Sequence, residues 1–482
     1  MGGKGRFHMR NVLFVASECT PFIKTGGLAD VIGSLPQALK ENGRIEVRVI
    51  LPLYDEIPEE WRTQMEFQMS FNVPLGWRNS EASIYSLEYN NIIYYFVSNA
   101  YYFTRKGVYG YYDDGERFLF FSRAVIEALT HLEFKPDVLH AHDWQAGMAV
   151  ALAKILQPIA DLKTVMTIHN IKYQGLMPID IYEDFFDLSR EHIGGFEWNG
   201  MLNCLKSGLF HADKITTVSP SYGEEIKDPY YGEGLHPFLL ERSADLSGVL
   251  NGIDTKDYNP QTDPAIAVKY RSSRAKKKEN KMILQEKLGL PIVAEKPLYV
   301  IITRLVEQKG LHLVQHILDD FLHEDVQFII LGTGDAEFET YFAEVANAQP
   351  NKVVTLLTFD EGVARQLYAS ADFFVMPSKF EPCGLAQLIA LQYKTVPIVR
   401  ETGGLKDTVL PFNQLTGEGN GFSFTNYNAA DLLATLRYSL RIYHDPLQWT
   451  VLGKNVNKSQ FSWQNSARDY ASIYDQLMTI YV

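Results

Sequence analysis

A chain of 482 residues exceeds what one hydrophobic core ordinarily organises, so two domains are expected. Its 46% hydrophobic and 21% charged content is that of a soluble globular protein, and a formal net charge of −13 excludes a general nucleic-acid surface, which is normally basic. Any anionic ligand must then be held by local cations working against the overall field.

The opening MGGKGRFHMR lacks the apolar core of a signal peptide, and no apolar run approaches the ~20 residues that span a bilayer. Cys19, Cys204 and Cys383 are scattered without metal or disulfide spacing and suit a reducing cytoplasm, so a cytoplasmic protein with no membrane partner is expected. NVLFVAS reads as a first strand, Cys19–Gly27 as a loop and residues 28–41 as a helix, followed by the strand EVRVILP. Residues 65–98 alternate apolar and polar side chains, and Asn90-Asn91 separates SIYSLEY from IIYYFVS as a hairpin would. Asp113, Asp114 and Glu116 read as capping the amphipathic helix that follows. The strands DVLHAH, KTVMTIH and KITTVS then bring a βα alternation, and GVLNGID closes this half.

From Asp254 to about Pro291 sheet character is lost; the basic run RAKKKENK reads as a solvated helix face rather than a nucleic-acid patch. A second βα series follows through PLYVIITRL, VQFIILG, KVVTLL, ADFFVMP and TVPIVR, and the closing segment WQNSARDYASIYDQLMTIYV has an amphipathic helical pattern. The expected architecture is α/β, two doubly wound domains facing each other across a cleft. Their bounds are 10–253 and 254–462, with 463–482 as a helix returning to the first domain.

Several polar groups fall where strands end, the edge at which open α/β sheets bind ligands. Glu381, in FEPCGL, stands beside turns over residues 383–385 and 402–405 whose amides can face an anion; a carboxylate among such amides suggests a ligand with both hydroxyls and phosphate. Arg304 and Lys309, in ITRLVEQKG, are set to overhang the same edge. For either alone a surface ion pair to Glu307 accounts equally well; together they suit a diphosphate, since opposite charges at ~4 Å gain about 4 kcal/mol at an effective dielectric of 20, before desolvation. Lys24-Thr25-Gly26-Gly27 precedes a helix and is neither a Walker loop nor a dinucleotide fingerprint. His169 ends one strand and His140-Ala141-His142-Asp143 another. No DxD or His/carboxylate cluster stands out as a metal site, so neither a metal nor another cofactor is expected, and the cations are the natural substitutes for Mg²⁺.

Taken together, KTGGLADV, HAHDWQAG, TIHNIKYQG, TTVSPSY, VLNGID, ITRLVEQKG, SKFEPCGLAQ and ETGGLKDTV resemble the bacterial glycogen synthase and plant starch synthase family, retaining α-glucan glucosyltransferases of the GT-B fold. The segments run in family order from residue 24 to 409, and eight in register are highly specific. The resemblance implies that Lys24, Gly26 and Gly27 face the phosphates of the donor and that Arg304 and Lys309 bind its diphosphate. It places Glu381, Cys383, Gly384 and Leu385 on the glucosyl unit with His169 reaching it, Asn251 near the donor, and Thr402 with Gly403 in the phosphate cradle. Phe359 falls about where the family sets an aromatic against adenine, and Asp143 on the acceptor side. Departures are Gln145-Ala146 after Trp144, Ala386 where many relatives have Thr, and the segment EGLHPFLLERSADL. Ile389 stands where a second glutamate occurs in the wider retaining pattern, which argues against sucrose-type relatives.

The implied reaction transfers glucose from ADP-glucose to the non-reducing end of an α-1,4-glucan, glycogen or a maltooligosaccharide, with retention. UDP-glucose as donor, or a non-catalytic nucleotide-sugar sensor of the same fold, remain alternatives. A nicotinamide oxidoreductase lacks its GxGxxG, and a retaining glycosidase lacks its close carboxylate pair.

Overall fold

Short apolar runs bounded by Gly, Pro and Asn become strands covered on both faces by their own crossover helices. The computed structural model describes residues 9–479; the opening residues discussed above as lacking a signal pattern lie largely outside them. Two compact units result: the chain up to Asn251 together with the segment from Trp463, and Gly252–Ser462.

The first unit contains β1 (Arg10–Val15), β2 (Ile45–Pro52), β3 (Glu66–Leu75), β4 (Arg78–Tyr89), β5 (Ile92–Ser98), β6 (Val138–His142), β7 (Lys163–Ile168), β8 (Lys214–Thr217) and β9 (Leu246–Gly248). They form one sheet in the order β9-β8-β7-β6-β1-β2-β5-β4-β3. All pairings are parallel except β5-β4 and β4-β3. The hairpin between β4 and β5 turns at Asn90 (φ 47°) and Asn91 (φ 64°), the left-handed pair a two-residue turn demands. Its helices include α1 (Gly27–Glu41), α2 (Asp114–His131), α3 (Trp144–Leu156) and α4 (Cys204–His211). The C-terminal helix Trp463–Thr479 packs on α1. Arg10 there donates to the Tyr474 carbonyl at 2.7 Å, and the Tyr474 hydroxyl meets His140 Nδ1 at 2.7 Å.

The acidic cluster at the start of α2 does not cap the helix as expected. Asp113 pairs with Arg105 at 2.7 Å, Asp114 pairs with the fully buried Arg117, and Glu116 accepts from the Tyr102 hydroxyl at 2.6 Å. No side chain caps α2. An arginine taken out of water needs its charge matched, and that requirement is absent from helix-end statistics.

The second unit contains β10 (Leu298–Ile302), β11 (Gln327–Leu331), β12 (Val353–Leu356), β13 (Phe373–Met376), β14 (Val396–Arg400) and β15 (Phe422–Phe424). All are parallel, in the order β12-β11-β10-β13-β14-β15, which is the strand order of dinucleotide-binding sheets. Its helices are α5 (Arg274–Lys287), α6 (Leu311–Phe321), α7 (Ala336–Ala348), α8 (Glu361–Ser370), α9 (Ala386–Gln392), α10 (Gly403–Thr408), α11 (Ala429–His444) and α12 (Pro446–Lys458). Because strand side chains alternate, Tyr299, Ile301, Phe328, Ile330 and Phe373 enter one core with α6 and α11. Leu298, Val300, Ile329 and Phe374 enter another with α5, α8 and α9. Burial on both faces is why these strands read as unbroken apolar runs.

The basic run on α5 is not simply a solvated face. Lys281 is 1% exposed and pairs with Asp372 at 2.7 Å. Lys277 donates to the Tyr368, Ala369 and Tyr393 carbonyls and to Thr395 Oγ1, at 2.7–3.1 Å. Among the described residues no helix is long and apolar enough to cross a membrane.

Candidate functional site

In each unit most of the predicted residues collect near the place where neighbouring strands send their crossovers to opposite faces of the sheet, at which such sheets open a crevice. In the first unit that place lies between β1 and β6. The loop after β1 is anchored by Glu18, 4% exposed, a residue no motif marks. Its carboxylate accepts from the Thr25 and Gly26 amides, from Thr25 Oγ1 at 2.8 Å and from the Tyr109 hydroxyl at 2.7 Å, while Ser17 Oγ meets the same hydroxyl at 2.7 Å. Lys24 rises from this loop with its side chain 43% exposed, paired with Asp30 at 2.7 Å. A Cβ on Gly26 would meet nothing within 4 Å, and no side chain caps α1. A ligand can therefore approach this backbone closely.

Glu18→Gln turns an amide toward those N–H donors and leaves one of them without an acceptor, a loss of about 1–3 kcal/mol. We expect a lower melting temperature and roughly tenfold lower kcat/KM for the donor, since a displaced loop misplaces Lys24. Unchanged values for both would show that the loop holds itself.

Across the same sheet edge, Asp143 follows β6 with φ 59° and ψ 178°, a conformation costly for any residue but glycine. It does not cap α3. Its Oδ1 accepts from the His169 amide at 2.8 Å and the Asn170 amide at 3.4 Å, so the end of β6 is tied to the end of β7. His169 Nε2 lies 3.0 Å from His142 Nδ1, which leaves His169 Nδ1 as the ring nitrogen open to a ligand. Burial pushes the His169 imidazole down to about 3 and His142 well below its ordinary value, so both rings are neutral at neutral pH. His142 Nε2 is buried without a partner among the described residues. Asn251, 6% exposed, ends this unit three residues after β9.

Burial also pushes the Asp143 carboxyl up to about 7, against the pull of the two amides it accepts from. Below about pH 4 the folded and unfolded chains both hold this proton. As pH rises toward 7 the unfolded chain has released it and the folded chain has not, so this residue's contribution to stability is lost across that window. Asn fits the same backbone and keeps an accepting oxygen. The melting temperature of Asp143→Asn relative to the unsubstituted protein should therefore climb from pH 4 to about 7 and level off above it. A difference that stays flat with pH would show that Asp143 titrates normally.

In the second unit the corresponding place lies between β10 and β13. Lys309, after β10, meets Glu381, after β13, at 2.6 Å, with side chains 13% and 11% exposed; Ser378 Oγ reaches the same carboxylate oxygen at 3.2 Å. The surface pairing considered for Lys309 is thereby replaced, since Glu307 pairs with Lys379 at 3.2 Å. Arg304, on the loop of Lys309, is exposed and makes no side-chain bond to another described residue. The turn after β14 packs onto the Glu381 loop: a Cβ on Gly403, at φ 45°, would lie 2.1 Å from the Glu381 carbonyl, and the Gly404 amide donates to the Pro382 carbonyl at 3.1 Å. Thr402 is fully buried in that turn. Gln387, on α9, holds Cys383 and Gly384 through their carbonyls at 3.1 and 2.8 Å, and Leu385 leads into the helix. Phe359 is not gathered in; it stands 89% exposed beyond β12, the edge strand.

The arrangement offers a cation paired to a carboxylate at the edge of one sheet, and at the edge of the other a half-exposed cation on a glycine loop after β1 and neutral imidazoles at the ends of β6 and β7. Among the described residues no three His, Cys, Asp or Glu stand together as metal ligands would. Sequence reasoning missed Glu18, Tyr109 and Ser378, because none of them stands in a spacing that marks a site.

Residues 11–241 match the family model of the starch synthase catalytic domain, and residues 285–455 that of glycosyl transferases group 1. The glycogen synthase of Oceanobacillus iheyensis is 65% identical over 469 residues, covering 97% of this chain and 98% of that protein. That of Exiguobacterium sibiricum is 49% identical over 474 residues, covering 96% and 98%. Among solved structures, the catalytic domain of Starch Synthase IV from Arabidopsis thaliana, bound to ADP and acarbose, superposes with a TM-score of 0.88 at 31% identity, covering 98% of this chain and all of that one. The fold is GT-B, with two Rossmann-like domains, and the expectation drawn from the eight segments holds. The chain belongs to the family of bacterial glycogen synthases and starch synthases, hexosyltransferases that build α-glucans.

Proposed function

We propose that the protein transfers glucose from ADP-glucose to the 4-hydroxyl at the non-reducing end of an α-1,4-glucan, with retention of configuration. The observation that carries this reading is the Lys309–Glu381 pair at 2.6 Å, set at the crevice position of a sheet with dinucleotide-binding strand order. As the anomeric bond breaks, negative charge grows on the departing diphosphate and positive charge on the sugar ring. Lys309 and Arg304 stabilise the first, Lys24 adds to it in the role the family assigns, and Lys309, already held in place, needs little reorganisation at the moment of reaction. Thr402 and Gly403 complete the phosphate cradle, and Phe359 is assigned to the adenine. Glu381, already held by Lys309 and Ser378, binds sugar hydroxyls together with the backbone of Cys383–Leu385. His169, neutral, meets a sugar hydroxyl through Nδ1. The diphosphate accepts the proton of the incoming hydroxyl, and Asp143 serves the acceptor side. The relative from Arabidopsis thaliana, bound to ADP and acarbose, supports a nucleotide and a glucan as ligands. Three buried free cysteines support a reducing, cytoplasmic setting.

The test is nucleotide release from ADP-glucose and from UDP-glucose, each with and without glycogen, repeated in EDTA. Glycogen-dependent ADP release that survives the chelator is expected. No release from either donor would leave a sugar-nucleotide sensor, preference for UDP-glucose would reassign the donor, and loss in EDTA restored by Mg²⁺ would overturn the cation mechanism.

A further inference from the structure

The basic run of α5 is unused by that reaction, and it lines a cavity of about 50 Å³ in the second unit. The walls come from the start of α5, the residues after α8 and α9, and α12. Five cations face this space, Arg274, Lys277, Lys278, Lys281 and Lys394, with Asp372 as the acid among the lining residues. Asp372 is already engaged by Lys281 at 2.7 Å and by the Leu298 amide at 2.9 Å, and Lys278 is paired outward with Glu295. Arg274, Lys277 and Lys394 have no carboxylate within ion-pair distance among the described residues, although Asp372 acts on the first two from farther off. Arg274 donates to the Trp449 carbonyl and lies over the Trp449 ring, 5.6 Å from its centre. Lys277 has only neutral acceptors. Lys394 makes no side-chain hydrogen bond or ion pair with a described residue, and it holds φ 62° at a position just past α9 where glycine or asparagine is the usual choice.

We propose that this cavity is a binding site for a phosphate group, as inorganic phosphate or as a small phosphate monoester, held by Arg274, Lys277 and Lys394. Arg274, Lys277, Lys281 and Lys394 share one lining carboxylate, Asp372, so positive charge is left in excess, and a dianion is the species that relieves it. Burial lowers the Lys277 ammonium to about 7 and lowers Arg274 and Lys394 from their ordinary values; Asp372 opposes the shift at Lys277 and Arg274, while Lys281 and Lys394 add repulsion at Lys277. An entering anion reverses each of these pressures. The N-terminus of α5, 14 residues long, opens at the same cavity and adds its dipole. That so acidic a chain concentrates cations here makes the local field specific to this recess. The site is separate from the donor residues: Cys383–Leu385 precede α9 and Lys394 follows it, across seven helical residues or roughly 10 Å.

The test is calorimetric titration of the full-length protein with inorganic phosphate and with glycerol 3-phosphate, at ionic strength matched with chloride. The variants are Lys394→Asn, which suits the left-handed backbone, Arg274→Gln, and Arg304→Ala as the donor-site control. One equivalent should bind to the unsubstituted protein and to Arg304→Ala. Lys394→Asn and Arg274→Gln should each weaken it about ten- to a hundredfold, as the loss of a charged hydrogen bond does, while melting curves show that both remain folded. Binding of either probe in this pattern supports the site and names its source. No binding at millimolar probe, binding lost in Arg304→Ala but intact in Lys394→Asn, or a Lys394→Asn effect on melting alone would overturn the proposal.

Discussion

Replacing Lys309 with alanine should lower turnover on the proposed donor by about 10²–10³-fold, the loss typical when one preorganised donor to developing charge is removed. The ammonium sits 2.6 Å from Glu381 with both side chains nearly enclosed, so it is fixed in place before any ligand arrives. A fixed cation contributes more to a growing diphosphate charge than a mobile one, because little must be rearranged as the bond breaks. The substitution also strands the Glu381 carboxylate in a buried position beside Ser378 alone. Breaking such a pair from one side costs about 3–5 kcal/mol, and a fall in melting temperature should accompany the kinetic loss. The two effects separate on measurement: kcat at saturating donor reports the reaction, and the melt reports the ion pair. A near-normal kcat with a lowered melt would make Lys309 structural and would end its role in the mechanism.

Gly310→Ala should be nearly as damaging, although Gly310 carries no chemistry. At φ 72° the residue occupies the left-handed region, and a Cβ there would lie 1.9 Å from the Pro377 carbonyl oxygen and 2.7 Å from its carbon. Both obstacles are main chain and cannot swing aside. Backbone strain and overpacking together amount to about 2–4 kcal/mol. Relief requires the loops after β10 and β13 to separate, and these loops carry Lys309 and Glu381. We expect a lower melting temperature together with reduced kcat. A variant that melts lower yet turns over normally would show that the Lys309–Glu381 distance tolerates the shift.

The contrast between these two positions shows what could be read from the chain. Lys309 and Glu381 were both marked by their segments and by their places after apolar strands, but their contact was not. They are 72 residues apart, and they meet because β13 pairs with β10 while β11 and β12 lie on the far side. Apolar periodicity says where strands are and is silent about their order. Glu18 was invisible for a related reason: its value lies in accepting from Thr25, Gly26 and Tyr109, and a lone glutamate after a strand has no spacing signature. Helix composition counts charges and makes Lys277 and Lys281 look solvated, whereas their surroundings depend on Asp372 and on carbonyls in the last turn of α8 and just after α9.

The βα alternation, the hairpin at Asn90-Asn91 and, through eight segments in order, the family are legible in the amino-acid order alone. These are local properties: two-sided burial forces continuous apolar runs, asparagine tolerates left-handed turns, and motifs are contiguous. Tertiary structure alone decided which charges are neutralised and which are left over. Pairing Lys309 with Glu381, setting Arg117 inside its acids, and leaving Arg274, Lys277 and Lys394 around one cavity all follow from chain segments brought together by strand order and helix packing. The Coulomb energy of a group depends on distances in space, which separation along the chain does not encode.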